Sequence, residues 1–516
     1  MTSTTQAPEY PEKIDAAVLK VAGVVVLGAI MSILDITVVN VALPTFQTEF
    51  GTPTEPVTYS HVAWTVTAYT LALATVIPLT GWAADRFGSK RLYLTALALF
   101  TGGSVLCALA DSINMLILFR VIQGLGGGML MPLGMTIMTR AAGPARMGRL
   151  MAILGVPMLL GPILGPILGG WLIDNASWHW IFLINAPIGV AAFVYAMAVL
   201  PSDTPEPSES FDFLGMLLLS PGLALFLFGV SSLPEKEGDV TAPRVWVSML
   251  VGVLLMLAFV RHAFRPEHPL LDLRLYKNRN LTVSSITMFL FAGAFFGGLL
   301  LVPTYFQQIR GESTLDAGLL VAPQGIGAML TMPIAGYLVD KIPVGRIVPF
   351  GLALITGSMF GLTQIEADTS YPLLIGLLFV MGLGMGGTMM PIFTTALRTL
   401  THHEVARGST LLNITQQVAS SVGVAVISVM LTSELKDRPL ALPAIASQRD
   451  PSVADRIGGP AGVAEGLSQA ADAFASTYWL AWVLVLLTFI PMAFLPRKRE
   501  VSHLLDDEGV EPVVLH

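Results

Sequence analysis

The strongest constraint in this sequence is a series of long apolar stretches that recurs along nearly the whole chain. A helix of about 20 apolar residues is long enough to cross the hydrocarbon core of a bilayer. The predicted spans are 17–43, 60–82, 91–110, 113–138, 148–173, 180–200, 212–233, 244–264, 281–305, 315–339, 346–365, 371–397, 407–433 and 474–496. Fourteen such spans predict an all-α integral membrane protein, because helices satisfy their own backbone groups in lipid.

The composition agrees with this prediction and limits the possible functions. Hydrophobic residues make up 54% of the chain and charged residues 12%, about half the roughly 25% charge of soluble domains. Cys107 is the only cysteine, which excludes a disulfide within the chain. The glycine runs follow no strand, and no zinc-ligand spacing is present. The sequence therefore predicts a protein that is not an enzyme and has no metal, bound cofactor or nucleic-acid partner.

The basic residues predict the orientation in the membrane. With the N-terminus inside, most of the 28 Lys and Arg residues fall in inside segments, as cytoplasmic loops require. We therefore expect a multi-pass protein of the cell membrane, a monomer in the lipid bilayer, with both termini cytoplasmic. The predicted parts are a cytoplasmic tail 1–16, an N-terminal six-helix bundle 17–200, two linker helices with their loops 201–280, a C-terminal six-helix bundle 281–496 whose one long loop 434–473 is extracytoplasmic, and a cytoplasmic tail 497–516.

The chain contains an internal repeat. The segment GWAADRFGSKR at 81–91 matches GYLVDKIPVGR at 336–346, and GLGGGMLMP at 124–132 matches GLGMGGTMMP at 382–391. The matches occur in the same order and at nearly the same offset, which indicates a duplicated unit. The repeat predicts two pseudo-symmetric six-helix bundles, and the seventh and eighth spans lie between them as extra central helices without a partner.

Two ionisable side chains, Asp35 and Arg120, lie deep within the predicted spans. Each costs roughly 2.5–3.5 kcal/mol at the centre of a membrane helix, so such residues are usually functional. One interpretation is a static ion pair between spans 1 and 4. The other is that Asp35 carries a proton, with its charge changing as the site opens to one side or the other. Gln123 lies one turn after Arg120 and faces the same way, so it is a candidate for the substrate pathway.

Other polar residues within spans are candidates for the same pathway. Span 13 has a polar stripe that includes Asn413 and either Gln416 or Gln417, and span 10 contains Gln324. Uncapped amides are costly in lipid, so these faces must point inward. They line a substrate route or, alternatively, form hydrogen bonds between helices. Trp64 in span 2 binds an apolar ligand or, alternatively, anchors its helix at the membrane interface.

Span 5 contains the unusual stretch GVPMLLGPILGPILGG at 155–170. Gly161, Gly165 and Gly169 are spaced by four, which predicts a smooth groove into which another helix backbone packs. Pro162 and Pro166 remove backbone donors and favour a kink. The stretch, which ends at Gly170, predicts a bent and closely packed helix that can pivot, although simple packing is the alternative.

The loop after span 2 resembles that of the major facilitator superfamily, whose members have two six-helix halves. The resemblance rests on five residues of the first copy, namely Gly81, Asp85, Arg86, Gly88 and Arg91. The second copy keeps Gly336, Asp340 and Arg346 but has Pro343 and Val344 near the position of the second glycine. The resemblance implies that this motif takes part in conformational gating.

Further motifs resemble the fourteen-span drug:proton antiporters of the EmrB and QacA type. They are LDITVVNVALP at 34–44, FRVIQGLGGG at 119–128, the glycine–proline run of span 5, WHWIFLINAPIG at 178–189 and YFQQIRGESTLDAGLLVAPQGIG at 305–327. The resemblance implies that Asp35 takes part in coupling, Arg120 in proton transfer, and the span-5 motif in export. Some relatives carry extra acidic residues in spans 10 and 13. This chain has Pro323 and Gln324 in span 10 and amides in the polar stripe of span 13, which puts a preference for dications in doubt.

These observations together predict a proton-coupled exporter of multiple drugs and other amphipathic compounds that works by alternating access. The expected partners are a small amphipathic or cationic substrate and protons, and the proton gradient supplies the energy. The alternative is a dedicated exporter of one endogenous metabolite, lipid or siderophore. A receptor without transport activity is disfavoured by the intact Asp35 and Arg120.

Overall fold

The computed structural model describes residues 15–51, 57, 59–142, 146–201, 211–233, 239, 242–401, 404–448 and 451–498. Its helices are α1 (Ala16–Phe50), α2 (Tyr59–Val76), α3 (Thr80–Phe87), α4 (Ser89–Ala108), α5 (Ile113–Ala142), α6 (Met147–Asn175), α7 (Trp180–Leu183), α8 (Asn185–Val199), α9 (Phe213–Ser232), α10 (Pro243–Ala263), α11 (Arg279–Gln308), α12 (Thr314–Lys341), α13 (Val344–Leu362), α14 (Tyr371–Gly386), α15 (Met389–Arg398), α16 (Glu404–Lys436), α17 (Ala441–Ser447), α18 (Pro451–Arg456) and α19 (Gly459–Met492). No strand occurs in these ranges, and the all-α prediction is confirmed.

A helix lies at each of the fourteen predicted spans. Thirteen helical segments of the described chain are long and apolar enough to cross a membrane, and the remaining predicted span, 148–173, corresponds to the 29-residue helix α6. Three spans consist of two helices each. A 3₁₀ turn at Ile77–Leu79 joins α2 to α3, Ile184 separates α7 from α8, and Gly387 and Thr388 separate α14 from α15.

The segment 434–473 is more helical than a simple loop. The structure continues α16 to Lys436, starts α19 at Gly459, and places α17 and α18 between them. The segment contains four prolines, at 439, 443, 451 and 460, which favour a loop, but two of them stand where a helix tolerates proline. Pro451 is the first residue of α18, and Pro460 lies in the first turn of α19, where the missing N–H has no partner to lose.

The two bundles pack their helices in matching pairs. In the first bundle, which comprises α1 to α8, α1 packs on α6, α2 and α4 pack on α5, and α4 packs on α8. In the second bundle, which comprises α11 to α19, the corresponding pairs are α11 with α16, α12 and α13 with α14, and α13 with α19. The agreement between the pairs follows from the internal repeat, because equivalent spans present equivalent faces.

The linker helices α9 and α10 form a closely packed pair beside the boundary between the bundles. A Cβ atom added at Gly252 would lie 2.5 Å from the backbone nitrogen of Phe226, so the two helix backbones nearly touch. Leu223 and Leu227 of α9 pack with Ala74 of α2, and Ile414 of α16 joins the same apolar cluster. The linker pair therefore contacts one helix from each bundle.

Candidate functional site

The two ionisable residues of the spans form a buried ion pair in the first bundle. Asp35 on α1 is 2% exposed and Arg120 on α5 is fully buried. An NH1 hydrogen of Arg120 is donated to Oδ2 of Asp35. The same two helices also pack closely several turns away, where a Cβ atom at Gly134 of α5 would lie 2.6 Å from the side chain of Val25 on α1. The pair predicted from the sequence is therefore present.

The other carboxylate oxygen of Asp35 accepts hydrogen bonds from two amides. Nε2 of Gln123 donates to Oδ1 at 2.6 Å, and Nδ2 of Asn185 donates to the same atom at 3.3 Å. Both amide nitrogens also donate to Oγ of Ser104, at 2.6 and 3.3 Å. Asp35, Arg120, Gln123, Ser104 and Asn185 thus form one buried polar network that joins α1, α4, α5 and α8.

Arg120 has further partners that keep it in place without Asp35. Its Nε donates to the backbone oxygen of Thr65 on α2 at 3.0 Å, and its NH1 donates to Oε1 of Gln123 at 2.7 Å. The guanidinium carbon lies 4.1 Å from the ring centroid of Tyr69, a cation–π geometry. Its NH2 is buried and has no hydrogen-bond partner among the described residues. Both N–H groups of this nitrogen are therefore without an acceptor among the described residues.

The polar face of α5 points into the first bundle. From the sequence, Gln123 was a candidate for the substrate pathway because it faces the same way as Arg120. In the structure a Cβ atom at Gly124 would lie 2.6 Å from the backbone oxygen of Tyr69, and one at Gly127 would lie 2.4 Å from its hydroxyl. The glycines bring α2 against α5 and close this face, so Gln123 belongs to the buried network around Asp35 and does not line an open pathway here.

Asn185 and Ser104 are the network members that the sequence analysis missed. Asn185 lies at the first residue of α8, directly after the break at Ile184. Within the WHWIFLINAPIG motif it is an amide in an apolar setting two residues before Pro187. Discontinuous membrane helices often carry binding groups at the break. This rule was the one available signal for Asn185, whereas a lone serine such as Ser104 gives none.

The span-5 groove, formed by Gly161, Gly165 and Gly169 on α6, receives helix α1. A Cβ atom at Gly161 would lie 2.1 Å from the side chain of Ile33, and one at Gly165 would lie 2.0 Å from Oγ1 of Thr37. Thr37 also donates a hydrogen bond to the backbone oxygen of Gly161 at 3.0 Å. The groove therefore holds the α1 residues that flank Asp35.

The remaining residues of the span-5 motif lie outside this contact. Gly170 has open space where a side chain would be, with no atom within 4 Å. Helix α6 continues through Pro162 and Pro166 without interruption, and their side chains lie outside the described ones. Thus the three glycines spaced by four share one partner helix, and Gly170 provides a natural comparison.

The first loop motif joins the two bundles at the predicted cytoplasmic end. Asp85 forms ion pairs with Arg140 of α5 at 3.4 Å and with Arg407 of α16 at 3.8 Å. A Cβ atom at Gly81 would lie 3.4 Å from the Cα atom of Arg407, so α3 packs directly on the start of α16.

The other motif residues have different positions. Gly88 has φ of 88°, a conformation that favours glycine, and it allows α3 to turn into α4. Arg86 is half-buried, and Arg91 is exposed.

The second copy of the motif belongs to the second bundle and contacts the first bundle. Asp340 of α12 accepts a hydrogen bond from the backbone nitrogen of Gly148 at 3.0 Å and pairs with Nε of Arg149 at 3.2 Å. These groups begin α6, where a negative charge also interacts favourably with the helix dipole. A Cβ atom at Gly336 would lie 2.7 Å from the backbone oxygen of Gly148. Both copies therefore hold this end of the molecule closed.

The start of α1 is attached to α6 at the same end. Asp15 caps α1 by accepting the N–H of Val18 at 2.8 Å, and it forms an ion pair with Arg146 at 3.0 Å. The Val18 hydrogen bond first, and then Arg146, hold the pKa of Asp15 below its ordinary value, and these contacts outweigh the opposing effect of partial burial. The carboxylate is therefore charged at neutral pH and keeps this attachment.

The other residues predicted for the substrate pathway are spread over three places. Nδ2 of Asn413 on α16 lies 3.2 Å from the sulfur of Met135 on α5, at the contact between the bundles. Gln416 and Gln417, one turn further along α16, are half-buried. Gln324 on α12 is buried, and its Oε1 has no hydrogen-bond partner among the described residues. The structure does not bring these amides into contact with Asp35.

Trp64 lies against the linker pair. Its ring centroid is 5.4 Å from that of Phe228 on α9, and the guanidinium carbon of Arg244 on α10 is 5.9 Å from its ring centroid. Trp64 therefore helps attach the linker helices to α2. Within the part of the chain that the structure describes, no three His, Cys, Asp or Glu side chains are grouped closely enough to hold a metal ion.

Comparisons with known proteins agree with this architecture. A family model described as Major Facilitator Superfamily matches residues 25–424. The Multidrug resistance protein B homolog of Mycobacterium tuberculosis (strain ATCC 25618 / H37Rv) is 45% identical over 513 residues, which cover 96% of this chain and 93% of that protein. The Multidrug export protein EmrB of Escherichia coli (strain K12) is 32% identical over 415 residues, 79% of each chain.

A solved structure shares the fold. The crystal structure of the human organic anion transporter MFSD10 (TETRAN) superposes with a TM-score of 0.60 over 92% of this chain and 100% of that chain. The sequence identity is 18%, so the likeness concerns the fold alone.

Proposed function

This chain belongs to the major facilitator superfamily of multi-pass membrane transporters, and we propose that it exports amphipathic compounds, including drugs, in exchange for protons. The name and 45% identity of the mycobacterial multidrug resistance relative support the substrate class. The observation that carries the coupling is the buried network around Asp35. A carboxylate held by an arginine and two amides deep in an apolar bundle has a purpose beyond helix packing.

Protonation of Asp35 provides the switch in this proposal. Without its negative charge, Asp35 attracts Arg120 less strongly, because the ion pair becomes a bond between a cation and a neutral acid. Arg120 remains attached to Thr65, Gln123 and Tyr69, so α5 and α2 stay together. The helix whose attachment weakens is α1. Protonation therefore changes how firmly α1 is held against the rest of the first bundle.

The span-5 groove carries this change toward the contact between the bundles. Helix α1 lies in the groove of α6 on both sides of Asp35, through Ile33 and Thr37. The start of α6 is in turn bonded to Asp340 of the second bundle through Gly148 and Arg149. A shift of α1 thus reaches the closed end through one packed helix. This continuous contact supports a mechanical link between proton uptake and opening.

The conformation fits one state of alternating access. Asp85 with Arg407 and Asp340 with Arg149 join the bundles at the end proposed to face the cytoplasm. A molecule closed at that end releases its substrate to the other side. In our proposal both termini are cytoplasmic, the protein acts in the cell membrane as a monomer without a bound cofactor, and the amides Gln324, Asn413, Gln416 and Gln417 contact the substrate once the pathway opens.

Everted membrane vesicles test this proposal. Vesicles from cells that express the protein are energised with a proton gradient, and proton release is followed as cationic dyes, neutral drugs and native lipids are added in turn. We expect several unrelated amphipathic compounds to cause protons to leave the vesicles that contain the protein. Vesicles without the protein should show no response. A response to one native lipid or metabolite alone would identify a dedicated exporter. No response to any compound in vesicles that contain folded protein would contradict proton-coupled export.

A further inference from the structure

The two oxygens of the Asp35 carboxylate are not equivalent. Oδ2 is paired with Arg120, whereas Oδ1 accepts the N–H groups of both Gln123 and Asn185. Oδ2 lies against the guanidinium of Arg120, whose positive charge disfavours a proton there, so the proton is expected on Oδ1. A carboxylate oxygen has two lone pairs, and both lone pairs of Oδ1 are in use. A proton can be added to Oδ1 only when one of the two amides withdraws its donor. The amide that can do so determines how the site takes up its proton.

Gln123 is fixed at both ends. Its Oε1 accepts hydrogen bonds from NH1 of Arg120 at 2.7 Å and from Sγ of Cys107 at 3.6 Å. Its Nε2 donates to Asp35 and to Ser104, each at 2.6 Å. A half-turn of this amide would place its NH2 group against the guanidinium and remove a bond to Arg120. Gln123 therefore keeps its orientation whether or not Asp35 is charged.

Asn185 can turn without losing its partners. Its Nδ2 donates to Oδ1 of Asp35 and to Oγ of Ser104, each at 3.3 Å. Both acceptors can become donors, since protonated Asp35 has an O–H group and the Ser104 hydroxyl can rotate. After a half-turn, Oδ1 of Asn185 accepts from both of them. The same three side chains are then bonded in either charge state.

Asn185 lies beside a gap in the hydrogen bonding of its helix. It is the first residue of α8, separated from α7 by Ile184 and followed two positions later by Pro187, which has no N–H group. Because Ile184 keeps α-helical dihedral angles, with φ of −58° and ψ of −29°, the backbone remains helical there and only the hydrogen bond of Pro187 is missing. Helix α8 is packed tightly on α4, since a Cβ atom at Gly189 would lie 2.0 Å from Oγ1 of Thr101. Asn185 thus connects Asp35 on α1 with a rigid neighbour.

We propose that Asn185 is the positioning residue of the proton site, and that its amide donates to the charged Asp35 and turns to accept from the protonated Asp35. This inference rests on the proposed function, in which Asp35 carries the proton. The added proton binds Oδ1 of Asp35, and no other covalent bond forms or breaks. The new O–H group of Asp35 then donates a hydrogen bond to Oδ1 of Asn185. Arg120 keeps its charge throughout.

Few other titratable groups surround Asp35. Arg120 faces it from α5, Tyr69 lies beneath Arg120 on α2, and Cys107 on α4 contacts Gln123. Helix α6 packs on α1 through glycines, Phe182 of α7 has its ring centroid 5.8 Å from the guanidinium carbon of Arg120, and Asn185 of α8 bonds Asp35 directly. None of these residues titrates. A change in the pH dependence of transport on altering Asn185 therefore reports on Asp35 or its direct partners.

The test is the pH profile of uphill export by purified protein in liposomes. Asn185→Leu keeps the approximate size and removes all hydrogen bonding. The charged carboxylate then loses a stronger bond than the neutral acid does, so we expect the pH of half-maximal export to rise by about one unit. Asn185→Ser retains a group that donates and accepts, and we expect a smaller rise. Thr477→Val is the control, because this buried hydroxyl bonds only within α19, and its profile should match the wild type.

Infrared difference spectra provide a second readout on the same variants. The carboxylic C=O band that disappears in Asp35→Asn should change frequency in Asn185→Leu and remain unchanged in Thr477→Val. Folded Asn185 variants with an unchanged profile and an unchanged band would overturn the assignment of Asn185. Uphill export that persists in Asp35→Asn would instead overturn the proposed function, so the two failures are distinguishable.

Discussion

At the scale of single residues, the main feature is an ion pair buried inside the first bundle, away from water. Asp35 and Arg120 have no exposed side-chain surface, so each depends on the other and on three polar neighbours. Removing one member of a buried pair leaves the other uncompensated, at a cost of about 3–5 kcal/mol in soluble proteins. Removing both members costs far less. The pair should therefore behave as a unit in its effect on stability.

We expect Arg120→Gln and Asp35→Asn each to unfold at a lower temperature than the wild type, and the double variant to recover part of the loss. The physical reason is the unpaired buried charge that each single variant leaves behind. Thermal unfolding of the purified proteins in detergent measures the effect. A folded Arg120→Gln protein as stable as the wild type would show that the ion pair is of no structural importance. Uphill export should remain absent in the double variant, since stability and coupling are separate requirements.

At the scale of helices, the groove of α6 connects the part of α1 that carries Asp35 to the rest of the molecule. Gly161 and Gly165 contact Ile33 and Thr37, which flank Asp35 on α1. Backbone and side chain approach so closely there that a methyl group at Gly165 would overlap Thr37. A packed contact of this kind transmits displacement, because it has no free volume in which motion could be lost.

Gly165→Leu should leave membrane insertion normal and abolish transport, because the new side chain forces α1 away from α6. Gly170→Leu is the matched control in the same helix, since a Cβ atom at that position would have no neighbouring atom within 4 Å. We expect transport near the wild-type level from this control. The measurement is dye export by cells with equal amounts of each protein in the membrane. Equal transport by both variants would show that the groove tolerates a gap between α1 and α6.

The helices were predictable from the sequence to different degrees. The spans follow from apolar length, which the bilayer thickness dictates, and the glycine spacing in α6 predicts a groove. The sequence does not say that α1 fills the groove, because the choice of neighbour depends on packing across the whole bundle. Asn185 was missed for a related reason. A single amide in a span has the same sequence signal whether it bonds a carboxylate or a backbone carbonyl, and the partner is known only from the fold.

At the scale of the whole molecule, both copies of the loop motif join the two bundles at the same end, and each copy contacts the bundle to which it does not belong. Asp85 of the first bundle pairs with Arg407 of the second, and Asp340 of the second pairs with Arg149 of the first. The sequence repeat predicted two related bundles, and Asp340 is retained even though its copy of the motif is altered at Pro343. The contacts of Asp340 explain why the altered motif still works as a joint. Its carboxylate bonds the start of α6, and these bonds do not depend on a glycine at position 343.

Asp340→Asn should shift the protein toward the conformation open at this end. A neutral amide then replaces the carboxylate that accepts hydrogen bonds from Gly148 and Arg149, and both bonds become weaker. We therefore expect the ratio of open to closed molecules to rise on the order of tenfold. Distances between spin labels at Phe87 and Arg346, in a Cys107→Ala background that retains transport, measure the populations. Glu267→Gln, which alters an exposed carboxylate at the same end, is the control. Identical distance distributions in Asp340→Asn and the control would contradict the role of this contact.

The account depends most on Asp35 as the residue that couples export to proton movement. Asp35→Asn keeps the size and the capacity for hydrogen bonds but never carries a charge. The most direct measurement compares downhill exchange with uphill, gradient-driven export by the purified variant in liposomes. We predict that exchange of substrate across the membrane continues while uphill export is lost. Uphill export at the wild-type level with an unchanged pH dependence would contradict the account and remove Asp35 from the coupling mechanism.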